Sequence, residues 1–284
     1  MTRKLNTMLL MALLFIGLPF AWLMLDSSTR GEAVKPVTIT QLRRLSASMP
    51  GDAPVAVRYE TIGMRHMLGD LLAAGSGLRP LPFVVRAYEL VGRDGSVLTI
   101  DRGMSRAAAR SHRIHDFDPV AQGLVDQALA SSTLNLLLSR HVQHSGRELA
   151  RSEQVAASSP FKEPYAVAQG VVTIPADTIA PGIQMIYVRL SDGGELLFAG
   201  DVAPTHTSWD QQRLPARLVT SMFVDEDREE LGSWLRTVQA LKASAPSLQI
   251  VPGHDSVVPR ILIHGFLTDQ SERHKRLAPQ PLMR

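Results

Sequence analysis

The sequence predicts an α/β domain behind one N-terminal apolar segment, and three observations carry that reading. Residues 8–25 (MLLMALLFIGLPFAWLML) hold no charge. Farther along, short apolar runs of strand length alternate with stretches whose apolar residues recur at helical spacing. Three of those runs end directly in ionisable residues. With 45% hydrophobic and 20% charged residues over 284, the composition excludes wholesale disorder, collagen-like repeats and a long coiled coil. Lys and Arg number 30 against 27 Asp and Glu, too small an excess to argue for a nucleic-acid partner. Cysteine is absent, which removes disulfide frameworks, thiolate metal sites, Fe–S clusters and cysteine nucleophiles together.

The apolar segment comes first. Arg3 and Lys4 precede it and Asp26 ends it. At about 1.5 Å rise per residue it is just long enough to cross a hydrocarbon core of about 30 Å. Positive charge before the run favours an N-in orientation, which exports the rest of the chain, to the periplasmic side of a bacterial-type inner membrane. Residues 1–25 are therefore expected as a signal anchor, with the lipid bilayer as partner through residues 8–25. A signal peptide cleaved near Gly31-Glu32-Ala33, giving a secreted domain, is the rival expectation.

Residues 26–53 are mixed and polar and read as a membrane-proximal linker with room for one short helix; the domain proper is expected over 54–263. PFVVRAYELV (82–91) and SVLTID (96–101) read as strands about a turn whose Asp94-Gly95 supplies the turn chemistry. Residues 117–132 space their apolar positions like a helix, and LNLLL (134–138) reads as a strand buried on both faces. VVTIP (171–175), IQMIYVRL (183–190) and ELLFAG (195–200) read as further strands, the last two joined at Asp192-Gly193-Gly194. Residues 224–243 form a helix with acids early and Arg236 and Lys242 late, the order a helix dipole favours. LQIVPG (248–253) is one more buried strand, and residues 264–284 form a basic tail.

The polar residues gather at strand ends. LNLLL runs into Ser139-Arg140-His141-Val142-Gln143-His144, ELLFAG into Asp201, and LQIVPG into His254-Asp255. Ligands of layered α/β proteins bind at the carboxyl edge of the sheet. If these strands are neighbours, His141, His144, Asp201 and His254 converge, and two or three imidazoles with one carboxylate suit a divalent metal.

In order and spacing these residues resemble the metallo-β-lactamase fold superfamily over roughly residues 80–260. Thr99-Ile100-Asp101-Arg102-Gly103 is similar to its early Asp motif. Residues 139–144 align with its His-x-His-x-Asp-His stretch, Leu196 to Asp201 with its bridging-Asp motif, and Val251 to His254 with its last His motif. The resemblance implies a four-layered αβ/βα sandwich and a metal-dependent hydrolase acting on a small-molecule substrate. It also shows departures: Ser139, Gln143 and Ile179 stand where the first His, the motif Asp and the middle His belong. By this correspondence one metal site loses two of its three histidines. The other retains His144, His254 and Asp201, with Gln143 and His141 beside it, as the residues that hold one divalent ion and carry the chemistry. Zn is expected before Mn or Fe. With no ion bound, the same scaffold is a non-catalytic binding or regulatory module.

Asp101 is expected behind the ligands, holding its turn. Asp255 is expected either to accept from a histidine N–H or to serve as an exposed turn residue. The substrate, any protein partner and the oligomeric state are not legible in the chain.

Overall fold

The computed structural model of the chain describes residues 3–28, 33–149 and 161–267. The expected cleavage site at Gly31-Glu32 and the basic tail from residue 268 onward lie outside the described residues. In chain order the elements are α1 (Arg3–Leu25), α2 (Ile39–Ser46), β1 (Ala56–Leu68), α3 (Gly69–Leu72), β2 (Pro80–Val91), β3 (Val97–Ile100), α4 (Arg106–Ser111), α5 (Pro119–Ser131), β4 (Leu134–Leu136), α6 (Val142–Ser145), β5 (Tyr165–Ala168), β6 (Val171–Pro175), β7 (Gln184–Arg189), β8 (Glu195–Gly200), α7 (His206–Asp210), α8 (Arg217–Met222), α9 (Arg228–Ser244), β9 (Gln249–Pro252) and β10 (Ile263–His264).

Two five-stranded sheets result, in the orders β10-β1-β2-β3-β4 and β5-β6-β7-β8-β9. Pairing is antiparallel except for β1 with β10, β3 with β4, and β8 with β9. Side chains alternate across each strand, so each sheet has an inner and an outer face. Ile186 and Val188 of β7 and Leu196 and Phe198 of β8 meet Tyr88 and Leu90 of β2 between the sheets. Met185, Tyr187, Leu197 and Ala199 face outward onto α9 through Leu231, Trp234 and Val238. On the other side, Val85 and Ala87 pack under α4 and α5 through Ala109 and Val125. The layers are helix, sheet, sheet, helix, the sandwich the sequence predicts. Because both faces of β6, β7 and β8 are covered, these strands read as largely apolar runs, while β2 also buries Arg86 and Glu89.

Two features depart from the expectation. The first is β1, thirteen residues long, which the apolar pattern does not announce because Arg58, Glu60, Arg65 and His66 interrupt it. Its charges have partners far along the chain: Arg58 donates to the Gly265 carbonyl, and Glu60 accepts the Phe266 N–H at 2.7 Å. Phe266 and Leu267 are both buried.

The second is the stretch read as linker. It supplies Val37, Ile39 and Leu42 to the core under α9, and Arg43 forms a paired hydrogen bond to Glu195 at 2.7 Å on each oxygen. The helix is short and its apolar residues few, so composition alone reads it as polar tether. α1 is different, because almost none of its surface is covered and it is long and apolar enough to cross a membrane.

If α2 is part of the domain, Leu42→Ala, at a fully buried position, destabilises the fold by about 2–5 kcal/mol. Thermal unfolding of the purified protein checks this; a melting temperature unchanged from the parent would mark α2 as detachable.

Candidate metal centre

The centre is built where three strand ends from two facing sheets meet, rather than along one sheet edge. β8 and β9 lie side by side in one sheet, while β4 belongs to the other. Two glycines permit the approach. A Cβ on Gly253 would stand 2.6 Å from the Gly200 carbonyl oxygen, and Gly200, at φ +53°, has Leu138 against its open side. The Gly-Asp and Gly-His pairs are therefore a packing requirement that brings Asp201 and His254 together.

His144 arrives from the opposite sheet on α6, a single helical turn ended by Gly146 in the left-handed region. Its ring is fixed from behind: Nδ1 donates to Asp101 Oδ2 at 2.7 Å. Asp101, itself at φ +65°, uses its other oxygen to accept the Leu138 N–H at 2.9 Å. One carboxylate thus holds both the strand that leads to the site and the histidine that enters it. His254 is braced by β2. Its Nδ1 donates to the Val84 carbonyl at 3.0 Å, the Val84 N–H returns a bond to the His254 carbonyl at 3.0 Å, and Phe83 stacks on the ring at 3.8 Å.

With both Nδ1 atoms engaged, both Nε2 atoms face the same point: each lies 3.2 Å from Asp201 Oδ1. The three candidate ligand atoms all fall within 4.8 Å of one another. His141, the N-cap of α6, donates through Nδ1 to the second Asp201 oxygen at 2.8 Å. Its side chain is 24% exposed against 2% for His144 and His254, so solvent reaches the cluster from the His141 side.

The electrostatics follow from burial against pairing. Burial alone would depress His144, but the charges of Asp101 and Asp201 outweigh it and raise its pKa to about 10. His141 is raised as well, Asp201 offsetting its burial. Asp201 is held well below the usual carboxylate range: burial opposes ionisation, and the His144 and His141 charges overcome it. His254 has its pKa lowered by burial. The Val84 carbonyl can only accept, so the proton of the neutral His254 ring sits on Nδ1 and its Nε2 lone pair points at a carboxylate oxygen. Two electron-pair donors that close, with no proton between them, are the arrangement a cation relieves. The donor set of two imidazole nitrogens and a carboxylate, each imidazole held from behind by an oxygen, fits a divalent metal of the Zn²⁺ type.

The other expected residues have these places. Gln143 is half-buried one position before His144. Ser139 is fully buried and its hydroxyl accepts the His141 N–H at 3.1 Å, so it shapes the turn. Ile179 is buried in the apolar layer under α9. Asp255 accepts from the backbone N–H groups of His206 at 2.6 Å and Val257 at 3.0 Å, which is turn chemistry.

Sequence reasoning did not single out Phe83, Val84 or Glu226. Glu226 lies in the loop between α8 and α9, and burial together with the Asp201 charge raises its pKa to about 8. No motif marks it, because its position depends on how that loop returns over the site.

No protein-family model matches the chain, and comparison with curated protein sequences finds no match. Solved structures do match. An N-acyl homoserine lactone hydrolase with N-hexanoyl-L-homoserine bound at its catalytic metal centre is 15% identical over 72% of this chain and 94% of its own, with a TM-score of 0.56. A mutant of the B. thuringiensis protein AiiA, with N-decanoyl-L-homoserine bound at its active site, aligns with the same coverage, identity and TM-score. A probable metal-dependent hydrolase from Staphylococcus aureus is 13% identical over 72% of this chain and 91% of its own, at 0.52. The chain has the metallo-β-lactamase fold.

Asp101→Asn keeps an oxygen for the Leu138 N–H and removes the charge behind His144. It is expected to weaken Zn²⁺ binding by about 10- to 100-fold, read by competition with a chromophoric chelator. Unchanged affinity would show that Asp101 acts on the turn alone.

Proposed function

We propose that the chain is a membrane-anchored hydrolase that holds one divalent metal ion with His144, Asp201 and His254 and cleaves an ester, lactone, amide or phosphoester. The observation that carries this reading is the convergence of two imidazole Nε2 atoms and one carboxylate oxygen on a single buried point. In this reading the ion, once bound, activates a water molecule and polarises the scissile carbonyl or phosphoryl oxygen. The chain's own residues do the rest. Asp101 and Val84 fix the ligand rings, and Asp201 spends its second oxygen on His141. Glu226, in the loop between α8 and α9, feels the charges of Asp201 and His141, and burial raises its pKa to about 8. Gln143, neutral where a carboxylate stands in the family pattern, leaves the ion with more net positive charge and one ligand fewer.

A single ion follows from the same residues, since Ser139 and Ile179 offer no imidazole and Ile179 is buried in the core. For the substrate, one neighbouring lactone hydrolase is described with N-hexanoyl-L-homoserine as product at its catalytic metal centre and another neighbour with N-decanoyl-L-homoserine at its active site, which supports a small carbonyl compound here. α1 is read as the anchor, entering the membrane from the inside behind Arg3 and Lys4 and leaving the domain on the periplasmic face. Secretion after cleavage is the alternative.

One observation favours a second reading, a non-catalytic module. His144 bridges Asp101 and Asp201 while His141 caps the other Asp201 oxygen, so that side of the cluster is paired by the chain's own side chains. Elemental analysis of the purified protein decides between them. The hydrolase reading expects about one Zn, Mn or Fe per chain, lost in His254→Ala together with ester or lactone hydrolysis. A folded, metal-free protein that takes up no added metal would establish the second reading, and hydrolysis that survives His254→Ala would overturn the first.

A further inference from the structure

The end of α1 is tied into the domain at one place. The Asp26 carboxylate accepts two hydrogen bonds from Arg217 of α8, at 2.7 and 2.9 Å, and the Asp26 carbonyl accepts one from Arg228 of α9 at 2.6 Å. Arg228 donates its other terminal nitrogen to the Pro215 carbonyl at 2.6 Å, and the Arg217 guanidinium lies 5.5 Å from the Trp22 ring centroid. The last turn of α1 packs against both α8 and α3. Three hydrogen bonds thus lock the point where α1 ends to Arg217 and Arg228, the first residues of α8 and α9.

That loop has two sides. Its inner side carries Glu226, on which the charges of Asp201 and His141 act. Its outer side begins with Met222 and Phe223, 70% and 74% exposed. Leu78, 59% exposed, follows α3 on the segment where Gly75 approaches the Leu25 carbonyl. Single exposed apolar residues are ordinary on a protein surface. Here the pair stands at the end of α8 and the third residue follows α3, the two elements against which the last turn of α1 packs.

We infer that Met222, Phe223 and Leu78 form a second membrane contact, which lays the α8–α9 loop on the bilayer that holds α1 and sets the mouth of the His144–Asp201–His254 site at the level of the lipid headgroups. The occupant is the bilayer itself, because the three residues are carried by the elements that pack against the last turn of α1, and Arg217 ties α8 to Asp26. Short apolar elements of this kind bury about 5–10 Å into the headgroup and acyl boundary. The inference rests on the anchor reading of α1 and is independent of whether a metal binds. It gives the site a supply of substrate from the membrane surface.

The absence of cysteine makes the test direct. Met222→Cys, Phe223→Cys and Ser191→Cys each give the full chain one labelling site. Ser191 is exposed at the far end of β8 from Asp201. Each variant is labelled with bimane and reconstituted in phosphatidylcholine–phosphatidylglycerol vesicles, with and without a lipid carrying a nitroxide near the headgroup. The expected result is flotation of all three with the vesicles, and several-fold stronger quenching by the nitroxide lipid at 222 and 223 than at 191. Flotation with equal, weak quenching at all three sites overturns this inference and leaves the anchor standing. Probes at 222 and 223 that are shielded from water yet not quenched by the lipid assign the patch to a protein partner and overturn it too. A chain that does not float overturns the anchor reading and this inference together.

Discussion

The Asp201 carboxylate is the group on which the arrangement depends. It is buried, it stays ionised through its histidine neighbours, and one of its oxygens is approached by two imidazole nitrogens at the same 3.2 Å. Each ring is prevented from turning away by what holds its far side, the Asp101 carboxylate for His144 and the Val84 carbonyl for His254. A buried charge without compensation is costly, so a fold that keeps three such groups together must supply a proton or a cation between them. His144 supplies a proton on one side of Asp201, and the His254 ring, neutral with its proton on Nδ1, presents a lone pair on the other.

Much of the scaffold can be read as what that contact requires. Gly200 and Gly253 let β8 and β9 end close enough for Asp201 and His254 to share a partner, and Leu138 closes the third side from the other sheet. Asp101 accepts the Leu138 N–H with one oxygen and orients His144 with the other, so the position of β4 and the position of the ligand are set by one side chain. Both sheets must therefore be packed before the site exists. The segment from Val37 to Leu42 contributes to this by covering the outer face of β6 and β7 next to α9.

How much of this is legible in the sequence varies with how local the signal is. β6, β7, β8 and β9 are visible because burial on both faces makes them uniformly apolar. The Gly-Asp and Gly-His pairs are visible because close backbone approach demands glycine at a fixed place. β1 is not, because Arg58 and Glu60 are satisfied by Gly265 and Phe266, about two hundred positions away in the chain. The role of α2 is hidden because three apolar residues in a polar stretch carry no periodicity strong enough to mark a core contact. Asp255 could be placed near His254 by sequence, but only the return of the chain at His206 shows that its oxygens are used on backbone N–H groups. Glu226, Phe83 and Val84 are tertiary facts entirely. The departures at Ser139 and Ile179 were legible as losses, and the structure adds what those side chains do instead, a turn and a core.

The central claim is that the converging nitrogens and carboxylate take one divalent ion, and that the ion replaces the proton held at His144. Calorimetric titration of the metal-free protein with Zn²⁺ at pH 7, repeated in buffers of different ionisation enthalpy, tests both parts at once. Because the His144 pKa is raised to about 10, the ring is protonated at pH 7 and must lose that proton to bind. The account predicts about one ion per chain, release of at least one proton per ion, and affinity that increases as pH is raised. Absence of binding, or binding with no proton released and no dependence on pH, would contradict it.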